Sequence, residues 1–444
     1  MAILHKEATK ALLQKVLSFS KADECEVSLR GTEGGNIRYA RNAISTAGDI
    51  STLTLSVTSS FGKRSGTATI NEFTDDALKR VVARSEELAK LAPENPEYMP
   101  LRGPAEFKDA PGYVEATANM TPDDRAEAVA KSINVAKEAK LEAAGFIENT
   151  TGFNAIMNSK GLFAYDTDTN VVFTITTRNS AGTGSGFAGR GFNDFRKLDT
   201  HEATRIAAMK ANSSADAKAI EPGKYTVILE PIAATYMLEN MFRGLDARNA
   251  DEGRSFMSKP GGGNRIGEQL MDEKVTIYSD PFHPELPGPT WNRDGLPLEK
   301  TTWIDKGVVK NLAYSPYWAQ KKGVQPVPMP SNIIMEGGTA SLEELIKSTE
   351  KGILVSRLWY IRLVDAQTLL LTGLTRDGTF YIENGEIKYP VKNLRFNESP
   401  VIMLNNVEAL GKTERSVSIE SYRSFMIPPI KVRDFTFTSL SDAV

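Results

Sequence analysis

The N-terminal half of the chain alternates between stretches with helical periodicity and stretches with strand composition. Leucine and valine recur at helical spacing in residues 6–18, and Thr74 and Thr121 stand where helix N-caps are expected. This pattern predicts helices over 6–18, from Thr74 to about Ala89, from Thr121 to about Lys140 and over 200–213. Runs rich in β-branched residues predict strands over 36–44, 50–57, 152–158, 161–167 and 170–178, with turns at 158–161 and 166–168.

The C-terminal half is dominated by short runs of strand composition. Strands are predicted over 225–230, 274–278, 300–312, 353–364, 368–374 and 378–390, with hairpin turns at 305–307 and 384–385. Helices are the exceptions: one is predicted over 231–243, and another begins at Ser341, which can form a capping box with Glu344. The polar stretch 212–223 marks a predicted boundary between an N-terminal α+β domain (1–220) and a C-terminal β-rich domain (221–444).

The charge balance and the cysteine content limit the classes of protein to which this chain can belong. The 53 basic and 56 acidic residues leave a net charge of -3, whereas a nucleic-acid binder normally needs a basic face. The single cysteine, Cys25, excludes an intramolecular disulfide and fits a reducing compartment. The N-terminus meets charge too early for a signal peptide, and no segment has 18 uninterrupted apolar residues. We therefore expect a cytoplasmic protein that contacts neither a membrane nor nucleic acid directly.

Two sets of residues suggest chemistry but have simpler structural interpretations. The glycines from Gly184 to Gly189 match the dinucleotide-binding fingerprint, yet no helix begins after Gly189 where a pyrophosphate would need amide groups. Glycines in a bent strand explain this motif better. The three histidines, His5, His201 and His283, are too far apart in sequence for a local metal motif, and no nucleophile elbow supports a catalytic triad.

From Glu221 onward, the order of motifs resembles that of the TldD/PmbA family, whose members were once called modulators of DNA gyrase. The matching motifs are PGKYTVIL at 222–229, WNRDGLP at 291–297, IDKGVV at 304–309, GGTASLEELI at 337–346 and FYIENGEIKYPV at 380–391. The N-terminal half resembles the family more weakly. The resemblance implies a two-domain α+β fold, with an antiparallel sheet and helices in the N-terminal domain and a barrel-like β-rich C-terminal domain.

Active members of this family are zinc-type peptidases with a His-Glu-x-x-x-His motif and a cysteine ligand. The resemblance places Leu238 and Arg243 at the histidine positions, Glu239 at the glutamate, and Arg376 at or beside the cysteine. Leucine has no donor atom for zinc, and arginine carries a positive charge that repels the ion. We therefore expect neither a bound metal nor another cofactor.

The remaining polar groups define a candidate substrate cleft of Glu239, Arg243, Asp246 and Arg376. Glu239 and Arg243 are four residues apart on the predicted helix, so they are expected to form an ion pair. Such a pair would occupy the carboxylate and leave it poorly prepared to act as a general base. An alternative is that Arg243 and Arg376 together replace the charge of the metal and hold a peptide carboxylate or carbonyl.

The resemblance implies a catalytically inactive subunit that pairs with a metal-bearing TldD-like chain to degrade peptides or unfolded proteins. Whether the isolated chain forms a homodimer is left open. One alternative is an independent hydrolase or peptide-binding protein that uses Glu239, Asp246 or His283. Another is a regulator of DNA topology, suggested by the older family name alone. The acidic balance of the chain disfavours direct action on DNA.

Overall fold

The computed structural model describes residues 3–418 and 420–441. Its N-terminal region is built from long antiparallel strands and helices. The strands are β1 (Glu24–Ala40), β2 (Ala43–Phe61), β3 (Arg64–Ile70), β4 (Glu142–Asn158), β5 (Phe163–Arg178) and β6 (Ser185–Phe192). The helices are α1 (Lys6–Leu17), α2 (Asp75–Leu91), α3 (Glu115–Ala118), α4 (Pro122–Glu138) and α5 (Thr200–Ser213), with a 3₁₀ turn at Phe195–Lys197.

The C-terminal region consists mainly of short strands. They are β7 (Gly223–Leu229), β8 (Ile277–Ser279), β9 (Thr301–Asp305), β10 (Val308–Val309), β11 (Ile334–Met335), β12 (Lys351–Val355), β13 (Leu358–Asp365), β14 (Leu370–Thr375), β15 (Thr379–Glu383), β16 (Glu386–Pro390), β17 (Leu394–Glu398), β18 (Val407–Leu410), β19 (Glu414–Val417), β20 (Ser424–Ile427) and β21 (Ile430–Leu440). The helices are α6 (Pro231–Arg243), α7 (Ala247–Asp251), α8 (Pro316–Lys322), α9 (Leu342–Lys347) and α10 (Pro400–Asn405).

The N-terminal strands form one antiparallel sheet in the order β3-β2-β1-β4-β5-β6. Alternate residues of β1 point to the helical side of this sheet, where they are buried under α1 and α2 at one end and α4 and α5 at the other: Cys25, Val27, Leu29, Ile37 and Tyr39. The opposite face is polar and carries Arg30, Asn154 and Asp166, and Asp166 bonds to Thr290 of the C-terminal region. One face therefore forms the core of the N-terminal region, and the other meets the C-terminal region.

The glycines of β6 let one of its faces approach the backbone of α5 and the other approach side chains of the C-terminal region closely. A Cβ on Gly186 would lie 2.0 Å from the carbonyl oxygen of Ala207, so α5 packs directly against this face of the strand. A Cβ on Gly189, on the other face, would lie 3.0 Å from Val417 of β19. This packing confirms that the glycine motif belongs to a strand, and it gives no phosphate-binding turn.

The C-terminal region contains a curled, half-barrel sheet in the order β13-β14-β17-β21-β7-β12-β15-β16, with β18 paired to β21. A second sheet has the order β10-β9-β8-β11-β20-β19. Helix α6 packs between these sheets and contributes seven buried residues to the largest hydrophobic core. The predicted α+β class, with its antiparallel N-terminal sheet and barrel-like C-terminal region, is confirmed.

Most predicted elements are present, but one turn and one strand are assigned wrongly. The N-cap at Thr121 and the capping box at Ser341 form as predicted, and α6 has the predicted bounds. The turn predicted at 166–168 does not exist, because β5 runs through it and directs Asp166 and Asp168 to the polar face of the sheet. The strand predicted over 36–44 instead contains the β1–β2 turn, where Arg41 and Asn42 adopt positive φ angles.

Candidate functional site

Helix α6 carries the residues singled out by the sequence. It follows β7, which pairs in parallel with β12, and it begins at Pro231, where a missing N–H costs no hydrogen bond. The helix is buried on most of its circumference. Leu238 is fully buried in the surrounding hydrophobic core, so its role is packing.

Glu239 is buried, and both of its carboxylate oxygens are occupied. Oε1 accepts a hydrogen bond of 2.9 Å from the Arg243 guanidinium, which forms the i to i+4 ion pair expected from the sequence. Oε2 accepts a hydrogen bond of 2.6 Å from the Ser418 hydroxyl. The Arg243 side chain remains 63% exposed. The C-terminal end of α6 therefore presents a cation to solvent, next to a buried carboxylate whose two oxygens are both hydrogen-bonded.

Ser418 is the site residue that sequence reasoning missed. It follows β19 and lies 179 positions from Glu239, so no local motif joins the two residues. Ser416 lies two positions earlier, within β19, and shares a hydrogen bond of 2.9 Å with Thr235. Thr235 is one helical turn before Glu239 on α6. The alternation of small polar residues around Val417 was the available sequence signal, since alternate strand residues share a face.

Arg376 has a different set of neighbours. Its guanidinium lies 4.2 Å from the centre of the Trp359 ring, and its backbone N–H donates to the carbonyl of Arg357. Burial lowers the pKa of the Arg376 side chain, and the charges of Arg178 and Arg357 lower it further, against the opposing effect of Asp377. These contacts associate Arg376 with β13 and do not join it to Glu239 or Arg243.

Asp246, the remaining cleft candidate, is the N-cap of α7. Its side chain accepts a hydrogen bond of 2.7 Å from the backbone N–H of Asn249. This bond satisfies one of the donors that every helix leaves open at its N-terminus. The contact gives Asp246 a structural role close to the C-terminal end of α6.

The residues at the implied zinc positions do not fit a zinc ion. Leu238 has no donor atom, and Arg243 and Arg376 are cations, whereas zinc is held by thiolate, imidazole or carboxylate groups. Within residues 3–418 and 420–441, no three or more histidine, cysteine, aspartate or glutamate side chains are grouped so that they could hold a metal ion. The donor set at these three positions therefore does not suit a divalent ion.

His283 and Cys25 occupy structural positions. The Nδ1 atom of His283 accepts hydrogen bonds of 3.2 Å from the backbone N–H groups of Glu285 and Leu286, which close a turn. Burial lowers the pKa of His283. Cys25 is buried beneath α1 and α2, and burial raises the pKa of its thiol, which disfavours the reactive thiolate.

A cavity of about 1010 Å³ lies where the two regions meet. Apolar side chains from both regions form much of its wall: Phe187, Ile206, Met209, Ile232, Leu342 and Phe380. An ion pair crosses its edge, where Lys210 of α5 donates to Glu230 at 2.6 Å and both side chains are almost buried. Glu230 also accepts a bond from Ser356, so this single carboxylate connects α5, the start of α6 and the half-barrel sheet.

The polar seam between the regions contains several acids with raised pKa values. Burial raises the pKa of Asp166 to about 6, and the nearby Asp168 carboxylate adds to this effect. Burial likewise raises the pKa of Glu26 on β1 to about 7, with a further contribution from Asp294 of the opposing loop. Arg415 crosses the same seam, where it donates to the carbonyls of Gly191 and Glu285.

These features define an α+β protein in which the site helix carries a buried carboxylate that is bonded to an arginine and a serine. Family models for the PmbA/TldA metallopeptidases match residues 25–89 (domain 1), 115–215 (central domain) and 222–439 (C-terminal domain). The chain therefore belongs to the PmbA/TldD family.

Individual relatives agree with this assignment. Metalloprotease PmbA of Escherichia coli O157:H7 is 22% identical, and the alignment covers 96% of this chain and 97% of that protein. A metalloprotease of Methanothermobacter thermautotrophicus is 24% identical over 59% of this chain and 60% of its own length. The crystal structure of TldE from Thermococcus kodakarensis shares the fold, with a TM-score of 0.86, 20% identity and coverage of 97% of this chain and 100% of that one.

No helix among residues 3–418 and 420–441 combines the length and apolar character needed to span a membrane.

Proposed function

We propose that this chain is the metal-free, non-catalytic subunit of a peptidase assembly, in which a TldD-like, metal-bearing chain supplies the catalytic centre. The assembly degrades peptides or unfolded proteins in the cytoplasm. The observation that carries the proposal is the state of Glu239. Its two carboxylate oxygens are bonded to Arg243 and Ser418, so neither is available to take a proton from a water molecule.

The cation at the end of α6 supports this role. Arg243 is the residue that the family resemblance sets at a metal-ligand position, and its positive charge opposes binding of a divalent ion. The contribution of this subunit is then structural: it encloses substrate and stabilises its partner through association. In this proposal the chain divides near residue 220 into an N-terminal and a C-terminal domain. The C-terminal domain then corresponds to the peptidase domain of the family.

The test compares three preparations in a peptide-cleavage assay, with metal analysis of each: this chain alone, a TldD-like chain from the same organism alone, and the two together. The proposal expects no cleavage and no stoichiometric zinc in this chain alone, and the highest activity in the mixture. Cleavage by the isolated chain would contradict the proposal.

The variant Glu239→Gln distinguishes a structural from a catalytic carboxylate. Glutamine preserves an acceptor for the Ser418 hydroxyl but cannot act as a carboxylate base. We expect the mixture with this variant to retain the activity of the wild-type mixture. A large loss of the catalytic rate, in a variant that still associates with the TldD-like chain, would favour an independent hydrolase instead.

The cavity of about 1010 Å³ favours a second candidate function, binding of peptides without cleavage. Its apolar wall suits extended segments with large hydrophobic side chains. Isothermal titration of the isolated chain with apolar and polar peptides of equal length tests this function. Met209→Lys places a charge on a wall residue that is 52% exposed, and peptide binding should weaken if the cavity is the site.

A further inference from the structure

A polar cavity of about 350 Å³, here called the seam cavity, lies in the polar seam between the two regions. One wall is the polar face of the N-terminal sheet, with Asp166 and Asp168 of β5. The other wall belongs to the C-terminal region, with Arg415 of β19 and Arg423, which precedes β20. Side-chain amides from both regions complete the polar lining: Asn154, Asn170, Asn193 and Asn332. The seam cavity therefore has acids on one wall and cations on the other.

The two carboxylates of the seam cavity have no ion-pair partner among residues 3–418 and 420–441. Asp168 accepts no hydrogen bond in this part of the chain, and burial raises its pKa against the opposing effect of the Arg30 charge. Asp166 accepts from the backbone N–H and the hydroxyl of Thr290, which are neutral groups. Enclosed charge without a partner is costly, so this wall favours a cation that the protein does not itself supply.

The two guanidinium groups likewise form no ion pair within the described residues. Arg415 donates to the backbone carbonyls of Gly191 and Glu285 and to the side-chain oxygen of Asn193. Burial lowers the pKa of Arg415 to about 10, against the opposing charge of Glu285. Arg423 also donates to a backbone carbonyl, at 2.8 Å. Because a guanidinium has five N–H donors, both groups keep donors for a further acceptor.

Asn193 holds the two walls together without neutralising either of them. Its side-chain nitrogen donates at 2.8 Å to the carbonyl of Thr169, the residue after Asp168, and its oxygen accepts at 3.0 Å from Arg415. A Cβ on Gly152 would lie 3.0 Å from Oδ1 of Asp168, so the glycine leaves space beside this carboxylate. Opposite charges that are held near each other but bonded to neutral groups are complementary to a ligand that carries both signs.

We infer that the seam cavity binds a small zwitterion with a free ammonium and a free carboxylate, namely an amino acid or a dipeptide. The ammonium contacts Asp166 and Asp168, and the carboxylate contacts Arg415 and Arg423 through charge-assisted hydrogen bonds. A volume of about 350 Å³ is near the lower limit of ligand pockets, which suits a molecule of this size.

The inference does not depend on the proposed function. Among the described residues, the lining of the seam cavity shares only Arg415 with that of the larger cavity of about 1010 Å³, and it includes no residue of α6. Amino acids and dipeptides are nevertheless the class of product that a peptidase assembly releases, so a chain with either role would meet such ligands.

Isothermal titration of the full chain with alanine and with alanyl-alanine is the first test. At least one of these zwitterions should bind with a dissociation constant below about 1 mM, and the tighter one identifies the preferred length. N-acetyl-alanyl-alanine lacks the ammonium, and alanyl-alanine amide lacks the carboxylate. Each should bind at least about tenfold more weakly than alanyl-alanine, because each leaves one charged wall without a partner.

Two variants test the walls separately. Asp168→Asn preserves the shape of the side chain and removes no hydrogen bond of the described residues, so the fold should persist while the affinity falls at least about tenfold. Arg423→Gln keeps a donor for the bonded carbonyl and should weaken binding similarly. The matched control Asp76→Asn makes the same chemical change at an exposed position of α2 and should leave binding intact. Thermal melting monitors the fold of each variant.

Three results would overturn the inference. The first is that neither zwitterion binds at concentrations up to about 10 mM. The second is that the two blocked peptides bind as tightly as alanyl-alanine, because the walls would then not recognise charge. The third is that a folded Asp168→Asn variant keeps the wild-type affinity, because the ligand would then lie elsewhere. None of these measurements uses peptide cleavage, so failure of the inference is distinguishable from failure of the proposed function.

Discussion

The hydroxyl of Ser418 donates a hydrogen bond of 2.6 Å to the buried carboxylate of Glu239, although 179 positions separate the two residues. This bond joins α6 to the segment that follows β19, and the Thr235–Ser416 bond repeats the connection one helical turn earlier. Glu239, which the sequence places at the glutamate position of the family without its metal ligands, therefore has a structural function. It anchors α6 to the second C-terminal sheet.

Ser418→Ala should destabilise the protein by about 1–3 kcal/mol, because it leaves one oxygen of Glu239 buried without a partner. Urea unfolding followed by circular dichroism measures the change. Arg243→Ala is the control at the other oxygen. Since its side chain is 63% exposed, we expect a loss of less than about 1 kcal/mol. Equal losses from the two variants would contradict this account of the site.

Lys210→Met should be more damaging, by about 3–5 kcal/mol, because it leaves Glu230 almost buried without its counter-ion. The double variant Lys210→Met, Glu230→Gln should recover part of the loss, since glutamine needs no opposite charge and can still accept from Ser356. A double-mutant cycle of unfolding free energies measures this coupling. Simple additivity of the two changes would show that the ion pair contributes little to the domain contact.

Gly186→Ala tests the close packing of β6 against α5. The new Cβ would lie 2.0 Å from the carbonyl oxygen of Ala207, which is backbone and cannot move aside as a side chain can. Overpacking of this kind typically costs about 1–3 kcal/mol. Gly48→Ala on β2 is the control, because nothing lies within 4 Å of its new methyl group. Thermal melting should show a lower midpoint for Gly186→Ala alone.

The raised pKa of Glu26 predicts a pH dependence of stability. Burial, with a further contribution from Asp294, raises this pKa from 4.5 to about 7 in the folded chain. The folded state therefore binds the proton more tightly than the unfolded state, so this group lowers the free energy of unfolding as the pH rises from 4.5 to about 7. The variant Glu26→Gln should remove the part of this decrease in unfolding free energy that Glu26 causes.

Unfolding free energies at pH 5 and pH 8 check this prediction, with exposed Glu142→Gln as the control. If Glu26→Gln and wild type lose the same stability between the two pH values, the seam does not hold Glu26 in the environment described.

Local signals allowed much of the secondary structure to be predicted. The Thr121 N-cap, the Ser341 capping box, the Asn384–Gly385 turn and the periodicity of α6 depend on neighbouring residues, and these features are present. The turn predicted at Asp166–Asp168 failed because acidic residues favour turns unless an opposing domain covers them. The backbone N–H of Thr290 in the C-terminal region donates a hydrogen bond to Asp166. Because Thr290 is distant in the sequence, the residues near Asp166 give no sign of this contact.

The candidate site was predicted in part for the same reason. The Glu239–Arg243 pair follows from helical spacing, whereas the Ser418 contact depends on how distant strands assemble. The family resemblance sets Arg376 at or beside the position of the cysteine ligand and so groups it with these residues. In the structure, its guanidinium lies against the ring of Trp359 instead.

The Gly186 contact between β6 and α5 has a consequence for how the N-terminal region unfolds. Where two backbones meet without side chains between them, no rotamer can swing out to fill a widening gap. A loosening of α5 therefore breaks its contact with β6 at once. The helix and the sheet beneath it are expected to lose their structure in one cooperative transition.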